Sequence, residues 1–236
     1  MSRGIGDVYK RQPCNTGQNW SPENFNTDML PEWQDLLVET NSTLVEAFGI
    51  GFEGEKPEGT EEDGYWQLLW NSKEDAEAGW ETWEGYDKTA DWAEANADIL
   101  ACGSKADTFS FDAYVRRSRD GLGTFDLTAF SSEYQFCAYN EGQGVDELIS
   151  VIDDFEDWLV SDENSLDSPY TYVVLAPDYE TEEFDLAWGN FHQSKEMREA
   201  GLANFLDTAP EIQEAFDKVL SCQEPNGFNS GQIPLI

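Results

Sequence analysis

The sequence predicts an α+β fold in which one structural unit is written twice. The two copies are marked by related stretches, WNSKEDAEAG at residues 70–79 and WGNFHQSKEMREAG at residues 188–201. In both, a Ser-Lys-Glu triplet is followed at the same distance by an Ala-Gly pair. Segments with strand and helix periodicity also alternate in both halves. These observations predict a first repeat at residues 13–117, a linker at 118–132 and a second repeat at 133–236.

The first repeat begins with a polar stretch from Cys14 to Asn26, which reads as turn-like. Apolar residues at helical spacing follow in three places, and the second of these helices has Ser72 as its N-cap with an acidic residue three positions later. Apolar runs and alternation predict three strands. The predicted helices cover about 27–39, 72–83 and 89–102, and the predicted strands cover 44–52, 65–70 and 108–115.

The second repeat has the same kinds of segment. One helix begins at Ser194, and another begins in the capping box Thr208-Ala209-Pro210-Glu211, with proline in its first turn. A longer helix covers 145–160, and the predicted strands cover 134–139, 171–176, 183–190 and 227–236.

The order strand, helix, strand, strand, split helix, strand is ferredoxin-like. One such unit leaves a face of its sheet uncovered, so we expect two tandem ferredoxin-like repeats packed sheet to sheet as an internal pseudo-dimer. We therefore expect a monomer with internal pseudo-twofold symmetry.

Residues 1–12 are predicted to be a non-native N-terminal scar. The hexapeptide Asp7 to Gln12 is what the adapter sequence GAT GTG TAT AAG AGA CAG encodes, which indicates a translated sequencing adapter. The alternative is a native basic N-terminus. Under the first interpretation these residues are set aside from the fold, and a native signal peptide would be out of view.

The formal net charge of −36 bears on possible partners. A field of this sign repels phosphate backbones and anionic lipid surfaces, so we expect neither nucleic acid nor membrane partners. A solvated acidic surface is one explanation, and a calcium site is the other, although no Asp-x-Asp-x-Asp-Gly loop is found in the sequence. Aromatic residues make up 14% of the chain, which is too many for a disordered protein.

The chain resembles the dimeric α+β barrel superfamily, which includes antibiotic-biosynthesis-monooxygenase-like and NIPSNAP-like proteins. The resemblance covers residues 13–236 and is carried by the element order and by the two related stretches, each followed some twenty residues later by Cys102 or Cys222. The stretch from Cys137 to Gly142 also resembles the first strand of secreted marine bacterial members. The resemblance implies the fold, but it transfers no catalytic residues, because one fold supports many chemistries.

The four cysteines are interpreted through the repeat. They form no Cys-x-x-Cys pair, which disfavours zinc. Cys14 and Cys137 begin the two repeats, and Cys102 and Cys222 end the two split helices, so repeat symmetry favours the pairs Cys14–Cys102 and Cys137–Cys222 among the three pairings. Each disulfide would stabilise the fold by roughly 4 kcal/mol and would imply a secreted or periplasmic location. The alternative is four buried free thiols.

His192, the only histidine of the chain, is the first candidate for a functional residue. It is expected in an insertion that the first repeat lacks, between a strand end and a helix N-terminus. One interpretation is that His192 has only a surface or packing role. The other is that it is a haem axial ligand or a general base. The shortage of cations argues against haem, because its propionates need cationic partners.

We expect a candidate ligand cavity between the two sheets, although core packing alone is the alternative for its tryptophans. Its aromatic and polar lining is predicted to come from both repeats. The candidate residues are Trp66, Trp70, Tyr139, Asn140, Trp188, Asn190 and His192.

Two functions follow from these features. The first is an extracytoplasmic, non-catalytic domain that binds an apolar small molecule or another partner. The second is a cofactor-independent oxygenase or isomerase-like enzyme with its site in the cavity. We expect no cofactor and no metal, because the sequence has one histidine, no Gly-x-Ser-x-Gly elbow and no phosphate-binding glycine loop.

Overall fold

The computed structural model describes residues 7–115, 125–166 and 168–235. It divides the chain into two compact units, which we call unit 1 (Met1–Ala113 with Ser230–Ile236) and unit 2 (Tyr114–Asn229). These differ from the predicted repeats at the C-terminus, because the backbone N–H of Ile233 donates to the Ala47 carbonyl (2.8 Å) and its side chain is buried in the core of unit 1. Within the described ranges, no helix is long and apolar enough to cross a membrane.

Unit 1 contains an antiparallel sheet in the order β2–β3–β1–β5. A short strand, β4, pairs with the end of β1. Trp33, Leu37, Ala76 and Trp80 place helices against the apolar core of this unit. The strands are β1 (Asp7–Thr16), β2 (Glu46–Phe52), β3 (Gly64–Trp70), β4 (Leu100–Cys102) and β5 (Phe109–Val115), and the helices are α1 (Pro22–Asn24), α2 (Leu30–Glu39), α3 (Lys73–Glu84) and α4 (Asp87–Asn96).

Strand β1 corrects the expectation that residues 7–12 take no part in the fold and that residues 14–16 are turn-like. It pairs with both β3 and β5, and it buries Val8 and Cys14 in the core. Arg11 is only 4% exposed and donates a hydrogen bond to the Gln67 Oε1 (2.8 Å). Many side chains of β1 are polar and have partners on neighbouring strands. The segment therefore lacks the apolar alternation by which strands are predicted from a sequence. The adapter origin of the hexapeptide stays a prediction.

Unit 2 contains an antiparallel sheet in which β8 lies between β7 and β6. Strands β9 and β10 also pair with β6. Strand β6 already begins at Phe130, so residues 130–132, which were predicted as linker, are strand; residues 118–124 of that linker lie outside the described residues. The elements are β6 (Phe130–Tyr139), α5 (Val145–Leu159), β7 (Tyr170–Pro177), β8 (Leu186–His192), α6 (Lys195–Thr208), α7 (Pro210–Val219), β9 (Leu220–Cys222) and β10 (Asn226–Gln232). The division between the units falls within β10, after Asn229.

The helix starts were predicted correctly at two related places. The Ser72 side chain accepts a hydrogen bond from the Asp75 N–H (3.0 Å) and caps α3. The Ser194 side chain accepts from the Met197 N–H (3.3 Å) and caps α6. A hydroxyl at this position satisfies an N–H group that the helix itself cannot pair, so each helix begins at a defined residue.

Both predicted disulfides are present. Cys14 lies opposite Cys102 in the β1–β4 pair, and Cys137 lies opposite Cys222 in the β6–β9 pair. Each disulfide therefore joins a long strand to the short strand that follows the last helix of its unit. The alternative of free thiols is wrong, because no cysteine is free.

Candidate ligand-binding site

The site is a cavity of about 530 Å³ within unit 2. It lies between one face of the sheet and the helices α5, α6 and α7, all of which contribute to its lining. The prediction put a cavity between two sheets, whereas this cavity lies between a sheet and helices of the same unit. Large aromatic side chains from both the sheet and the helices, among them Trp188 and Phe155, line it.

Alternate residues of β6 and β8, together with Tyr170 of β7, form the floor of the cavity. In β8 these are Trp188, Asn190 and His192, which point to one face because side chains alternate along a strand. The strand register places partners beside each of them on β6 and β7. His192 lies opposite Ser131 and Tyr170, Asn190 lies opposite Glu133 and Tyr172, and Trp188 lies opposite Gln135 and Val174.

Aromatic rings form the apolar wall of the cavity. The Trp188 ring stacks on the Tyr172 ring with centroids 4.9 Å apart and planes only 4° apart. The ring centroid of Trp188 lies 5.4 Å from that of Phe216 in α7 and 6.1 Å from that of Phe155 in α5, and both pairs meet edge to face. Phe205 of α6 continues this wall from Phe155, at 5.4 Å. This wall can take an apolar ligand with little cost in desolvation.

Asn190 is the centre of the polar part of the floor. Its Oδ1 accepts a hydrogen bond from the Tyr170 hydroxyl (2.7 Å) and another from the Trp188 Nε1 (2.9 Å). Burial is the main reason that the pKa of Tyr170 is raised far above its usual range, so this hydroxyl keeps its proton. The amide is therefore held in place by two side chains of the same floor.

His192 is 7% exposed and lies at the end of the floor. Its ring centroid is 4.8 Å from that of Tyr170, and helix α6 approaches it at Gly201, where a Cβ would lie 2.9 Å from the His192 Cε1. Its Nδ1 is buried with no hydrogen-bond partner. Burial, and to a smaller extent the charge of Arg198, lowers the pKa of His192 to about 4, so the ring is neutral at pH 7.

This position corrects the expectation that His192 lies in an insertion. It is the last residue of β8, two residues before the cap of α6 and nine before Gly201. Trp70 ends β3 with the same spacings to Ser72 and Gly79, and a Cβ on Gly79 would lie 3.0 Å from the Trp70 Nε1. Glycine in each related stretch thus lets a helix approach the ring that ends the preceding strand.

An ion pair closes the side of the cavity next to His192. The Arg198 Nε lies 3.4 Å from the Glu133 Oε2, and both side chains are largely buried. The Arg198 Nη1 also donates to the Ser131 Oγ (2.7 Å). The charge of Arg198 is therefore already matched by protein groups, which a buried arginine requires.

The structure brings together three of the seven predicted site residues, Trp188, Asn190 and His192. Trp66 and Trp70 are buried in the core of unit 1, where Trp66 packs 5.0 Å from Trp33. Tyr139 packs against the core of unit 2, and the Asn140 amide donates to the carbonyls of Asp217 and Lys218 (3.0 and 3.1 Å). Neither residue is part of the cavity lining.

Sequence reasoning missed several lining residues, of which Tyr170, Glu133 and Arg198 matter most for the chemistry. The period of two in Glu133, Gln135 and Cys137 was a usable signal, because a buried cysteine fixes which face of β6 points inwards. The helix residues carried no such signal, since their distance from the floor depends on packing.

The residues of this cavity do not fit haem. A haem needs cationic partners for its two propionates as well as an axial histidine. Among the described residues that line the cavity, Arg198 is the only cation, and it is held by Glu133, while Asp217 and Glu224 add further negative charge. In the described ranges no three His, Cys, Asp or Glu side chains are grouped so that they could hold a metal ion.

Comparisons with known proteins bear on the fold. No protein-family model and no curated protein matches the sequence. Among solved structures, a candidate monooxygenase from Fusobacterium nucleatum matches at 10% identity over 99% of this chain and 94% of its own, with a TM-score of 0.56. A candidate monooxygenase from Lactobacillus acidophilus matches at 10% identity over 97% and 95%, with a TM-score of 0.53.

A variant of chlorite dismutase from Candidatus Nitrospira defluvii matches at 7% identity over 100% of this chain and 94% of its own, with a TM-score of 0.56. These neighbours belong to the dimeric α+β barrel superfamily. At such low identity the likeness is informative about fold alone. The chain thus has a mixed α+β fold like that of the dimeric α+β barrel proteins, in agreement with the resemblance seen in its sequence.

Proposed function

We propose that this chain is a small-molecule-binding protein and that its ligand occupies the cavity of unit 2. One observation carries the proposal: a cavity of about 530 Å³ combines an aromatic wall with a few fixed hydrogen-bonding groups. Ligand sites in proteins typically have this size and this mixture of apolar and polar groups. The polar groups of the floor, among them Tyr170 and Asn190, lie on neighbouring strands, which keeps their spacing rigid.

A fluorescence titration with N-phenyl-1-naphthylamine, an uncharged apolar probe, tests the proposal. The test variant is Gln213→Trp, which adds a large side chain to the lining on α7. The matched control is Gln143→Trp, on an exposed turn of the same unit that does not line the cavity. We expect one probe per chain in the wild type and in the control, and at least tenfold weaker binding in the test variant. Equal binding in all three proteins would refute the cavity as the site.

The proposed location is the periplasm or the outside of the cell. Two disulfides support it, because such bonds persist in oxidising compartments. We also propose that the two units are tandem ferredoxin-like repeats that form an internal pseudo-dimer, and that the protein is a monomer. The shared element order supports this, as do the equal six-residue spacings from Val8 to Cys14 and from Ser131 to Cys137 in the strands that start each unit.

A cofactor-independent oxygenase is the second candidate function. It is favoured by the names of two structural neighbours, both candidate monooxygenases, and by the neutral imidazole of His192 at the cavity floor. In such a reaction the substrate itself reduces O₂, so that one oxygen atom enters the product and the other leaves as water.

Oxygen uptake with 1-naphthol tests this second function, since 1-naphthol and O₂ balance to 1,4-naphthoquinone and water. The assay uses protein treated with a chelator, and it compares the wild type with His192→Ala and with Gln143→Ala as the surface control. Quinone formation that is lost only in His192→Ala would support the enzyme. A wild-type rate equal to that of buffer would leave the binding function as the sole proposal.

A further inference from the structure

We infer that Asn190 selects ligands that carry an uncharged hydrogen-bond acceptor, such as a carbonyl oxygen, on an apolar ring system. This inference rests on the proposed function and names the ligand class for the same cavity. It depends on the direction in which the Asn190 amide faces, on the charges around the cavity and on the aromatic wall.

The direction of the Asn190 amide is set by the protein. The indole Nε1 of Trp188 is a donor only, so the amide atom 2.9 Å from it must be the oxygen. The Tyr170 hydroxyl donates to the same oxygen. The amide therefore cannot rotate by half a turn without breaking two hydrogen bonds and placing two N–H groups against each other.

The Nδ2 of Asn190 is thus left as the group that meets the cavity. Within the described parts of the chain, no hydrogen bond from this nitrogen to a protein acceptor is found, although Asn190 is half-buried and lines the cavity. An amide nitrogen has two N–H donors, and a ligand that covered them with an apolar group would leave both without an acceptor, which is costly. A ligand acceptor beside Nδ2 would avoid that cost.

The surrounding charges favour an uncharged acceptor over an anion. Arg198 is already paired with Glu133, which lies directly opposite Asn190 in the sheet. Asp217 and Glu224 also line the cavity, and the whole chain carries a net charge of −36. A carboxylate ligand would be repelled on approach and would lack a free cation at the floor.

The apolar part of the ligand is expected against the wall formed by Trp188, Phe155 and Phe216. The Trp188 ring is fixed by its stack on Tyr172 and by its bond to Asn190, so the wall and the donor form one rigid surface. A ligand must therefore place its acceptor beside Nδ2 and its ring system against the wall at the same time. A rigid ligand can do this at a lower cost in conformational entropy than a flexible one.

Three probes of nearly the same shape test the inference by displacement of N-phenyl-1-naphthylamine. They are 2-acetylnaphthalene, which has a carbonyl acceptor; 2-isopropenylnaphthalene, which has a CH₂ group in place of that oxygen; and 2-naphthoate, which is an anion. We expect 2-acetylnaphthalene to bind roughly five- to tenfold more tightly than the alkene, the value of one hydrogen bond. A purely apolar cavity would prefer the alkene instead, so the sign of the difference is informative.

The variant Asn190→Asp keeps the oxygen that Trp188 and Tyr170 use and replaces the donor nitrogen with an acceptor. We expect the preference for the carbonyl probe to disappear in this variant. The control Asn71→Asp makes the same change at an exposed position in unit 1, and it should keep the wild-type preference. Circular dichroism and the midpoint of urea unfolding establish that each variant is folded.

The outcomes separate the inference from the proposed function. If the fluorescent probe binds but the wild type prefers the alkene or the anion, or binds the two neutral probes equally, then the inference about Asn190 is wrong and the binding function stands. If the fluorescent probe does not bind at all, the proposed function is wrong. Should Asn190→Asp fail to fold, the wild-type comparison of the acetyl and isopropenyl probes still decides.

Discussion

At the scale of single residues, His192 shows how a fold can hold an imidazole neutral. The ring is enclosed by β8, by Tyr170 on β7 and by Gly201 on α6, and its nearest charged neighbours are Arg198 and the Glu133 that pairs with it. Burial removes water from the ring, which penalises the charged form and lowers its pKa to about 4 from an unfolded value of 6.5.

This shift predicts a pH dependence of stability. The unfolded chain takes up a proton at His192 near pH 6.5 and the folded chain only near pH 4, so stability falls as the pH falls through this window. Between pH 7.5 and 4.5 we expect His192 to remove about 2.5 kcal/mol from the free energy of unfolding. The side chain of His192→Gln cannot titrate. Its free energy of unfolding, measured by urea unfolding, should therefore fall by about 2.5 kcal/mol less than that of the wild type over the same pH range.

The wild type and His192→Gln have the same carboxylates, so the difference between the two proteins isolates the imidazole. The side-chain and backbone groups of Thr16, with Lys56, lower the pKa of Asp63 to about 2, so its contribution is lost only as the pH falls from 3.8 towards 2. If the free energy of unfolding falls equally in the wild type and in His192→Gln between pH 7.5 and 4.5, then burial does not lower the pKa of His192.

Gly201 gives a second prediction at this scale. A Cβ at this position would lie 2.9 Å from the His192 Cε1, so Gly201→Ala forces the buried ring to move. We expect a loss of about 1–3 kcal/mol in the free energy of unfolding from overpacking, which exceeds the gain of about 1 kcal/mol from helix propensity.

The control for Gly201→Ala is Gly51→Ala on β2, where a Cβ meets no atom within 4 Å. We expect this control to be neutral or slightly stabilising in the same urea titration. A stabilising effect of Gly201→Ala would mean that α6 can move away from His192 without cost, and it would contradict the tight contact described above.

At the scale of elements, each disulfide joins a short strand to a long one, but only one of them borders the cavity. Cys137 and Cys222 are both part of the lining, whereas Cys14 and Cys102 belong to unit 1. The strand β9 carries Cys222 and is three residues long, so backbone pairing alone holds it weakly. The disulfide therefore fixes one side of the cavity.

Paired serine substitutions test this difference. The closed loops are 88 and 85 residues long, so removal of either disulfide should cost a similar amount, about 4.5 kcal/mol in the chain-entropy model. In folded protein at low temperature, we expect Cys137→Ser with Cys222→Ser to weaken N-phenyl-1-naphthylamine binding severalfold. The matched pair Cys14→Ser with Cys102→Ser should leave the affinity unchanged; equal weakening in both would show that only global stability matters.

At the scale of the whole molecule, the net charge of −36 is the dominant feature. Ion pairs such as Lys88 with Glu39 are exposed and contribute little, so repulsion among the many carboxylates is not balanced locally. Salt shortens the range of this repulsion to about 10 Å at 0.1 M and less above it.

We therefore predict that salt stabilises this protein. Raising NaCl from 0.02 to 0.3 M should increase the free energy of unfolding by an amount on the order of 1 kcal/mol, since exposed charges interact weakly one by one and add up over the surface. Glycerol at the same osmolality is the control for non-ionic effects. A urea midpoint that does not change with salt would mean that the carboxylates are too far apart to repel each other.

Local patterns in the sequence determined much of what the structure contains. The serine caps at Ser72 and Ser194, the amphipathic helix over 145–160 and the pairing of the four cysteines were all predicted correctly. The caps and the helix depend on contacts within a few residues, whereas the cysteine pairing was inferred from the symmetry of the two repeats. The mixed α+β class follows from the same patterns.

Tertiary structure decided the rest, because it depends on which strands pair and in what register. Too few positions of β1 are apolar for the sequence to predict a strand there. The strand is defined by its pairing with β3 and β5. The Asn190 amide is oriented only when Trp188 and Tyr170 meet it, and Tyr170 lies 20 residues away in the chain. The cavity itself is a space between a sheet and three helices, so it depends on the distance between layers, which no local pattern in the sequence records.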